Sequence, residues 1–200
     1  MGKVFFDLAM SLDGYIAGPN ARPGNPLGDG GERLHTWMYR TAAFTKLIGG
    51  GDGGETGPDD DLVRRTIERA GASVMGRRMF DEGEVGWPEE APFHHPVFVV
   101  TGQAREPWVR KGGTTFTFVT DGLESALAQA KAAAGGKDVR VSGGASLVRQ
   151  CLAAGVIDEG VIHLAPVLLG AGTRLFDGLP DAAGVGLDGP VAHLDYRITR

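Results

Sequence analysis

Where an apolar alternation gives way to a helical pattern, the chain reads Val141, Ser142, Gly143, Gly144, Ala145, Ser146, Leu147. Successive glycines have no Cβ, so the backbone can bend sharply and a ligand can approach it closely. A helix that starts there presents unpaired N–H groups and the positive end of its dipole, a receptor for phosphate or diphosphate. A tight strand-to-helix connection without a ligand would use the same pair. Another glycine, Gly76, ends the β-rich run 72–76 and is followed by Arg77, Arg78 and Met79. Guanidinium forks match phosphate oxygens, although two surface arginines would read the same. Together the two bends predict an anionic ligand gripped from two sides. Thr101 adds a hydroxyl at the end of the run 96–101, and Asp13 a carboxylate in the turn within 11–18. Asp13 is a candidate to move a proton or orient a substrate; Asp-Gly is also ordinary turn chemistry.

Several other chemistries find no support. Asp59, Asp60 and Asp61 read as a solvated acidic helix start, because no histidine or spaced carboxylate joins them as a metal site would need. His94 and His95 are adjacent, no His-Glu-x-x-His occurs, and both read as loop. Gly144 to Val148 fails Gly-x-Ser-x-Gly at its last position. No Gly-x-x-x-x-Gly-Lys-Ser/Thr occurs, and no Gly-x-Gly-x-x-Gly follows a strand. One cysteine, Cys151, cannot supply the Pro-Cys-x-x-Cys of a zinc deaminase. It reads as packing within a helix, excludes an intramolecular disulfide and fits a cytoplasmic protein. A net charge of −5 without a basic stripe argues against a nucleic-acid partner. No apolar run approaches the ~20 residues that cross a bilayer, and Lys3 to Asp7 does not read as a signal peptide.

The elements that must hold these groups follow from periodicity. Two hundred residues, 42% apolar, suffice for one domain with a substantial core. Glycine clusters in 19–31 and 49–57, which are expected to be mobile surface loops. Residues 3–10 read as a buried strand. Residues 32–48 read as one amphipathic helix with Leu34, Trp37, Met38, Thr41, Phe44, Leu47 and Ile48 on a single face. Trp37 belongs to that core stripe with an edge free to line a pocket, while His35 and Tyr39 fall off it as surface or rim. A helix over 59–70 stops at Gly71. Strands are expected at 72–76, 96–101, 115–120 and 139–143, with a helix over 122–134 capped by Asp121 and a Glu124 capping box. A helix from Leu147 to Gly155 comes before a strand over 159–169, broken at Pro166, and a loop over 170–176. Residues 191–199 alternate strictly and predict an antiparallel strand buried on one face. The sum is an α/β fold: a mainly parallel central sheet, helices on both faces and antiparallel C-terminal strands. Ligands settle beyond the carboxyl ends of such strands, where Asp13, Gly76, Arg77, Thr101, Ser142 and Gly143 all fall.

The runs 11–17, 74–80, 97–101, 141–147 and 165–176, in this order, resemble the dihydrofolate reductase-like fold and within it the RibD C-terminal domain family. That family includes the reductase half of riboflavin-biosynthesis enzymes and stand-alone bacterial proteins. The resemblance implies an NADPH site. Ala9 and Ile16 would line the nicotinamide. Gly76, Arg77, Arg78 and Met79 would meet the adenosine phosphates, and Thr101 would bond near the 2′-phosphate. Gly143, Gly144, Ala145, Ser146 and Leu147 would cradle the diphosphate. Dihydrofolate reductases carry an acid in the first helix to anchor the pterin; the position aligned with it here is Leu34, which is apolar.

The expected activity is NADPH-dependent reduction of a C=N or C=O bond in a small heterocycle, resembling the 5-amino-6-(5-phosphoribosylamino)uracil reductase of riboflavin biosynthesis. Asp13 is the candidate proton or orienting group; Leu34, Trp37 and Ser142 are candidate pocket walls; the loop 19–31 is a candidate lid. The alternatives are an NADP-binding protein without turnover, serving as a sensor or structural dimer, and a pterin reductase. The expected partners are a small heterocyclic substrate and a second copy in a homodimer, with no metal.

Overall fold

Strand β1 (Val4–Ser11) reads Val-Phe-Phe-Asp-Leu-Ala-Met-Ser, and its period of two splits the side chains between two faces. Val4 and Phe6, with Leu8 and Met10 beside them, enter the main core, whereas Ala9 joins Leu34, Ala165 and Val167 on the other side. The computed structural model describes residues 2–179, 188, 192 and 194–197. After β1 come β2 (Tyr15–Ala17), a 3-10 turn (Gly31–Leu34), α1 (Thr36–Tyr39), α2 (Ala42–Leu47), α3 (Pro58–Arg69), β3 (Ala70–Gly76), α4 (Arg77–Gly83), β4 (Pro96–Val100), β5 (Trp108–Val109), β6 (Thr115–Val119), α5 (Leu123–Ala133), β7 (Asp138–Gly143), α6 (Ala145–Ala153), β8 (Glu159–Ala165) and β9 (Thr173–Arg174).

Seven strands form one sheet in the order β5-β6-β4-β3-β7-β1-β8, and β2 pairs with β9 in a small antiparallel ribbon. Among the described residues every pairing in the large sheet is parallel except that of β5 with β6. The carboxyl ends of β4, β3, β7 and β1 therefore lie side by side at one edge. One face is covered by α5 and α6, which pack Leu127, Ala130, Leu147, Val148 and Cys151 against Val74, Val139 and Val141. On the opposite face, Phe80 of α4 meets Trp87, Trp108, Phe116 and Phe118 edge-on at 5.0–6.0 Å between ring centroids.

The mainly parallel sheet with helices on both faces is the architecture expected, with local corrections. Residues 159–165, expected to run antiparallel, form β8 parallel to β1 over seven paired positions. The connection from β7 passes through α6, and a crossover of that kind returns the chain in the same direction. Among the described residues the antiparallel C-terminal element is β9; the strand expected over 191–199 is not seen at residues 192 and 194–197, where Leu194 and Tyr196 are exposed, and the rest of that stretch lies outside the described residues.

The single helix expected over 32–48 is three short pieces. His35, at φ −112° and ψ 0°, separates the 3-10 turn from α1, and Thr41 is extended at φ −73°, ψ 148°, so its hydroxyl caps α2 by accepting from the Phe44 N–H. Asp60 is not solvated: it is 1% exposed, accepts from the Ala43 N–H and pairs with Arg64, tying α2 to α3. Gly71 does not stop a helix but lies inside β3, which starts directly after α3. Gly122, not Asp121, is the N-cap of α5, and no side chain caps that helix. The loop 19–31 is pinned by Gly18 N–H to Leu27 O, Asp29 N–H to Pro19 O, and Asn20 and Asn25 donating to the Asp29 carboxylate.

Candidate functional site

The two glycine bends adjoin. β3 and β7 are neighbours, and a Cβ on Gly76 would lie 3.7 Å from both Gly143 O and Gly144 N. Gly143 has φ 123°, a conformation that L side chains avoid, and Met79 Sδ lies 3.3 Å from where its Cβ would be. Gly144 is different: it is extended at φ −74°, and its Cβ would meet only Arg78 Nη2, at 4.0 Å. The Leu147 and Val148 N–H groups turn back to Gly144 O, and no side chain caps α6. The start of α6 thus faces open space flanked by arginines, the arrangement that receives an anion.

A cavity of about 220 Å³ brings together Gly76, Arg77, Arg78, Met79, Gly144, Ser146 and Leu147. Arg77 is braced: its Nε donates to Asp81 at 2.6 Å and its Nη1 reaches Thr101 Oγ1 at 3.4 Å and Gln103 Oε1 at 3.3 Å. That contact ties Thr101 to the arginine cluster. Arg78 is 65% exposed and lies 3.5 Å from Glu82, so its guanidinium is the freer of the two.

A second cavity, of about 210 Å³, adjoins the first and shares Arg78, Met79 and Gly144 with it. Ala9, Ile16 and Leu27 supply apolar wall; Trp37, Arg140, Ser142 and His163 supply polar wall. The pleat explains the polar set: Val139 and Val141 of β7 enter the core, so Arg140 and Ser142 leave on the opposite face. Trp37 Nε1, Arg140 Nε and Ser142 Oγ are buried without a hydrogen-bond partner. Orphaned polar atoms of this kind mark a place completed by something else.

Behind them sits a buried ion cluster. Asp7 Oδ1 accepts from His163 Nε2 at 3.0 Å, and its Oδ2 accepts from Thr66 Oγ1 at 2.8 Å. Arg140 donates to the Asp7 carbonyl at 3.2 Å. Burial pushes the Asp7 carboxyl up, but the bond from His163 and the charges of Arg140 and His163 bring it below its usual value, so it is ionised at neutral pH. The Trp37 ring packs on His163 at 4.6 Å between centroids. His35 lines the same cavity rather than the outer surface; burial, then Arg140 and His163, lower its pKa to about 4, which keeps it neutral.

Ala9, Ile16, Trp37, Ser142, Gly143 and Ala145 line the second cavity. Of the candidates for the substrate end, Leu34 and Asp13 do not. Leu34 is fully buried behind the wall, packed with Ala9, Ala165 and Val167, because the 3-10 turn directs it into the core. Asp13 accepts from the Leu169 N–H at 3.2 Å and the Gly170 N–H at 2.7 Å. Hydrogen bonding from Ser11, against the cost of desolvation and with help from these amides, draws its pKa down to about 2. It clamps the β8–β9 connection and is not among the groups lining the cavity. Cys151 is buried, and desolvation pushes its thiol to about 12, consistent with packing. Asp7, Arg140 and His163 line the second cavity although the sequence patterns did not single them out. A charged residue inside an apolar strand, at Asp7, was the available signal, because such a group needs a buried partner.

Among the described residues, no helix is long and apolar enough to cross a membrane and no cluster of three or more metal-ligating side chains occurs. The model of the RibD C-terminal domain family matches residues 2–193. A solved structure from a Shewanella species, described as a riboflavin biosynthesis protein, is 26% identical over 90% of this chain and 85% of that one, with a TM-score of 0.54. A pyrimidine reductase-like protein from Corynebacterium diphtheriae aligns with 94% of this chain and 83% of its own at 10% identity and a TM-score of 0.47. The deaminase/5-amino-6-(5-phosphoribosylamino)uracil reductase of Thermotoga maritima aligns with 98% of this chain and 54% of its own at 14% identity and a TM-score of 0.48. A comparison with curated proteins found no match.

Proposed function

The chain belongs to the RibD C-terminal domain family, and on that premise we propose that it is an NADPH-dependent reductase of a small heterocyclic compound. The observation that carries this reading is the pair of adjoining cavities that meet at Gly144, Arg78 and Met79. One is lined by an uncapped helix start and two arginines, the other by apolar wall and unpartnered polar atoms. A dinucleotide has this division: charged diphosphate and adenosine at one end, a flat ring at the other. Bound there, NADPH supplies a hydride from its nicotinamide.

The protein's own residues bind and orient. The first amides of α6 and the Arg78 guanidinium hold the diphosphate, and Arg77, braced by Asp81, faces the adenosine phosphates beside Thr101. Ala9 and Ile16 give the nicotinamide a dry wall, and the loop 19–31 roofs the ring through Ala21, Pro26 and Leu27. Trp37 Nε1, Arg140 Nε and Ser142 Oγ give the substrate ring hydrogen-bond partners. Reduction of an aminouracil in riboflavin biosynthesis fits that polar wall. A pterin reductase is disfavoured, since buried Leu34 cannot anchor a protonated pterin. A dinucleotide-binding protein without turnover is the second reading, favoured by Asp13 being engaged by backbone amides. A homodimer and residence in the cytoplasm belong to the same proposal.

The test is a fluorescence titration with NADPH and NADH, then NADPH oxidation with aminouracil and pterin acceptors. Binding with oxidation of an aminouracil supports the reductase. Binding without oxidation of any acceptor supports the non-catalytic reading, and no binding refutes both. Sedimentation at micromolar concentration reads the dimer.

A further inference from the structure

We propose that His163 is the acid that protonates the substrate and that Asp7 is the positioning residue that holds it to that task. This rests on the reductase reading. Reduction of a C=N bond places a hydride on carbon and a proton on nitrogen. The carbon–nitrogen π bond breaks, new C–H and N–H bonds form, and the dinucleotide is oxidised. A cavity closed by loop 19–31 and a bound dinucleotide excludes bulk water, so a lining group must deliver the proton.

The titratable groups with access are Asp7, His35, Glu82 and His163, apart from the arginines, which hold their protons too tightly. Asp7 is engaged on both oxygens, by His163 at 3.0 Å and Thr66 at 2.8 Å. His35 is held neutral by burial. Glu82 is engaged with Arg78 at 3.5 Å, at the end of the cavity that leads to the arginine cluster. His163 has the required asymmetry. An ionised carboxylate only accepts, so the 3.0 Å contact fixes a hydrogen on Nε2. Among the described residues, Nδ1 has no protein partner. The ring is 13% exposed, lines the cavity and is packed by Trp37, which limits its rotation.

The Nδ1–H bond breaks as the substrate N–H bond forms. His163 passes from imidazolium to neutral imidazole while Nε2–H stays on Asp7. Asp7 fixes the tautomer, because its carboxylate holds the Nε2 hydrogen throughout. The Nδ1 proton returns from solvent when the product leaves. The charged and titratable groups facing the pair are Arg140 from β7, Arg65, Glu68 and Arg69 from α3, His35 before α1, and Arg78 and Glu82 from α4.

The test has two arms. In 15N NMR of the histidine side chains, the neutral ring of His163 should carry its hydrogen on Nε2, and Asp7→Asn should weaken that preference. A ring protonated on Nδ1, or shifts unchanged in Asp7→Asn, overturns the proposal. In kinetics with an aminouracil that the wild type reduces, His163→Gln should lower kcat by about 100-fold. Its KM for NADPH should stay within about twofold, so that the loss falls on kcat. Thermal melts confirm folding of both variants. If Glu82→Gln abolishes turnover while His163→Gln does not, the proposal is wrong although the reductase reading stands. If the wild type binds NADPH and reduces nothing, the reductase reading fails first and this one with it.

Discussion

Gly143 and Gly144 separate two reasons for a glycine, and substituting each in turn tests the proposed diphosphate grip. Gly144 is extended, and its Cβ would meet only a mobile guanidinium at 4.0 Å. Gly144→Val therefore costs the fold little, and its melting temperature should stay within a degree or two of wild type. The valine would occupy the space where the two cavities join. A hydrogen bond from an amide to a charged oxygen contributes ~1.5–3 kcal/mol, so losing one weakens binding by about 10–100-fold. Gly143→Ala does the reverse. With φ 123° and Met79 Sδ at 3.3 Å, it strains the backbone by ~1–3 kcal/mol and lowers the melting temperature by about 2–4 °C per kcal/mol. The assay is NADPH titration by fluorescence quenching, paired with thermal melts. A folded Gly144→Val protein that binds NADPH with wild-type affinity refutes the grip.

Packing and buried charge elsewhere in the fold are open to the same kind of test. Gly160 lies under Phe6, and a Cβ there would sit 2.4 Å from the ring. Gly160→Ala should cost ~1–3 kcal/mol by overpacking, read as a lower urea midpoint; an unchanged midpoint would show that Phe6 moves freely. Asp13→Asn should destabilise at neutral pH without altering NADPH affinity. Because the Asp13 pKa is drawn down to about 2 from 3.8, its contribution is present above the unfolded value and disappears as the pH falls through that window. Melting curves that differ equally at pH 7 and pH 2 would contradict this. His95, which shares a 2.7 Å hydrogen bond with Ser73, has its pKa lowered to about 4 by burial and then by Arg140, His94 and Lys137. His35 behaves likewise. Between pH 6.5 and about 4 the unfolded chain binds protons that the folded chain refuses, so stability should fall as the pH drops through that range. His95→Gln should flatten part of the fall, and a melting temperature independent of pH there would disprove it.

The legible parts of the chain were those governed by local rules. Alternation in 139–143 and the glycine pair after it announced a strand turning into a helix, and the structure has β7, Gly143, Gly144 and α6. Gly76 followed by two arginines announced the same at β3 and α4, and the two bends are neighbours because their strands are. What stayed hidden depended on partners far along the chain. The apolar stripe over 32–48 fits one helix, but Thr41 caps a new one and buried Asp60, 17 residues from Ala43, accepts that residue's N–H. Asp7 and His163 are 156 residues apart and meet only because β8 lies beside β1. Asp13 has the residue type of a proton donor but spends its oxygens on Leu169 and Gly170, a contact no local pattern encodes.

The two cavities draw on separate stretches of chain. Residues 76–79 and 144–150 shape one, while the wall unique to the other comes mainly from residues 7–38, 140–142 and 163–173. Divergence in the loop 19–31, around Trp37 or at His163 would remodel which ring is accommodated and leave the arginine end as it was. A descendant of this scaffold could thus acquire a new clientele through a handful of changes, without relearning how to hold a dinucleotide.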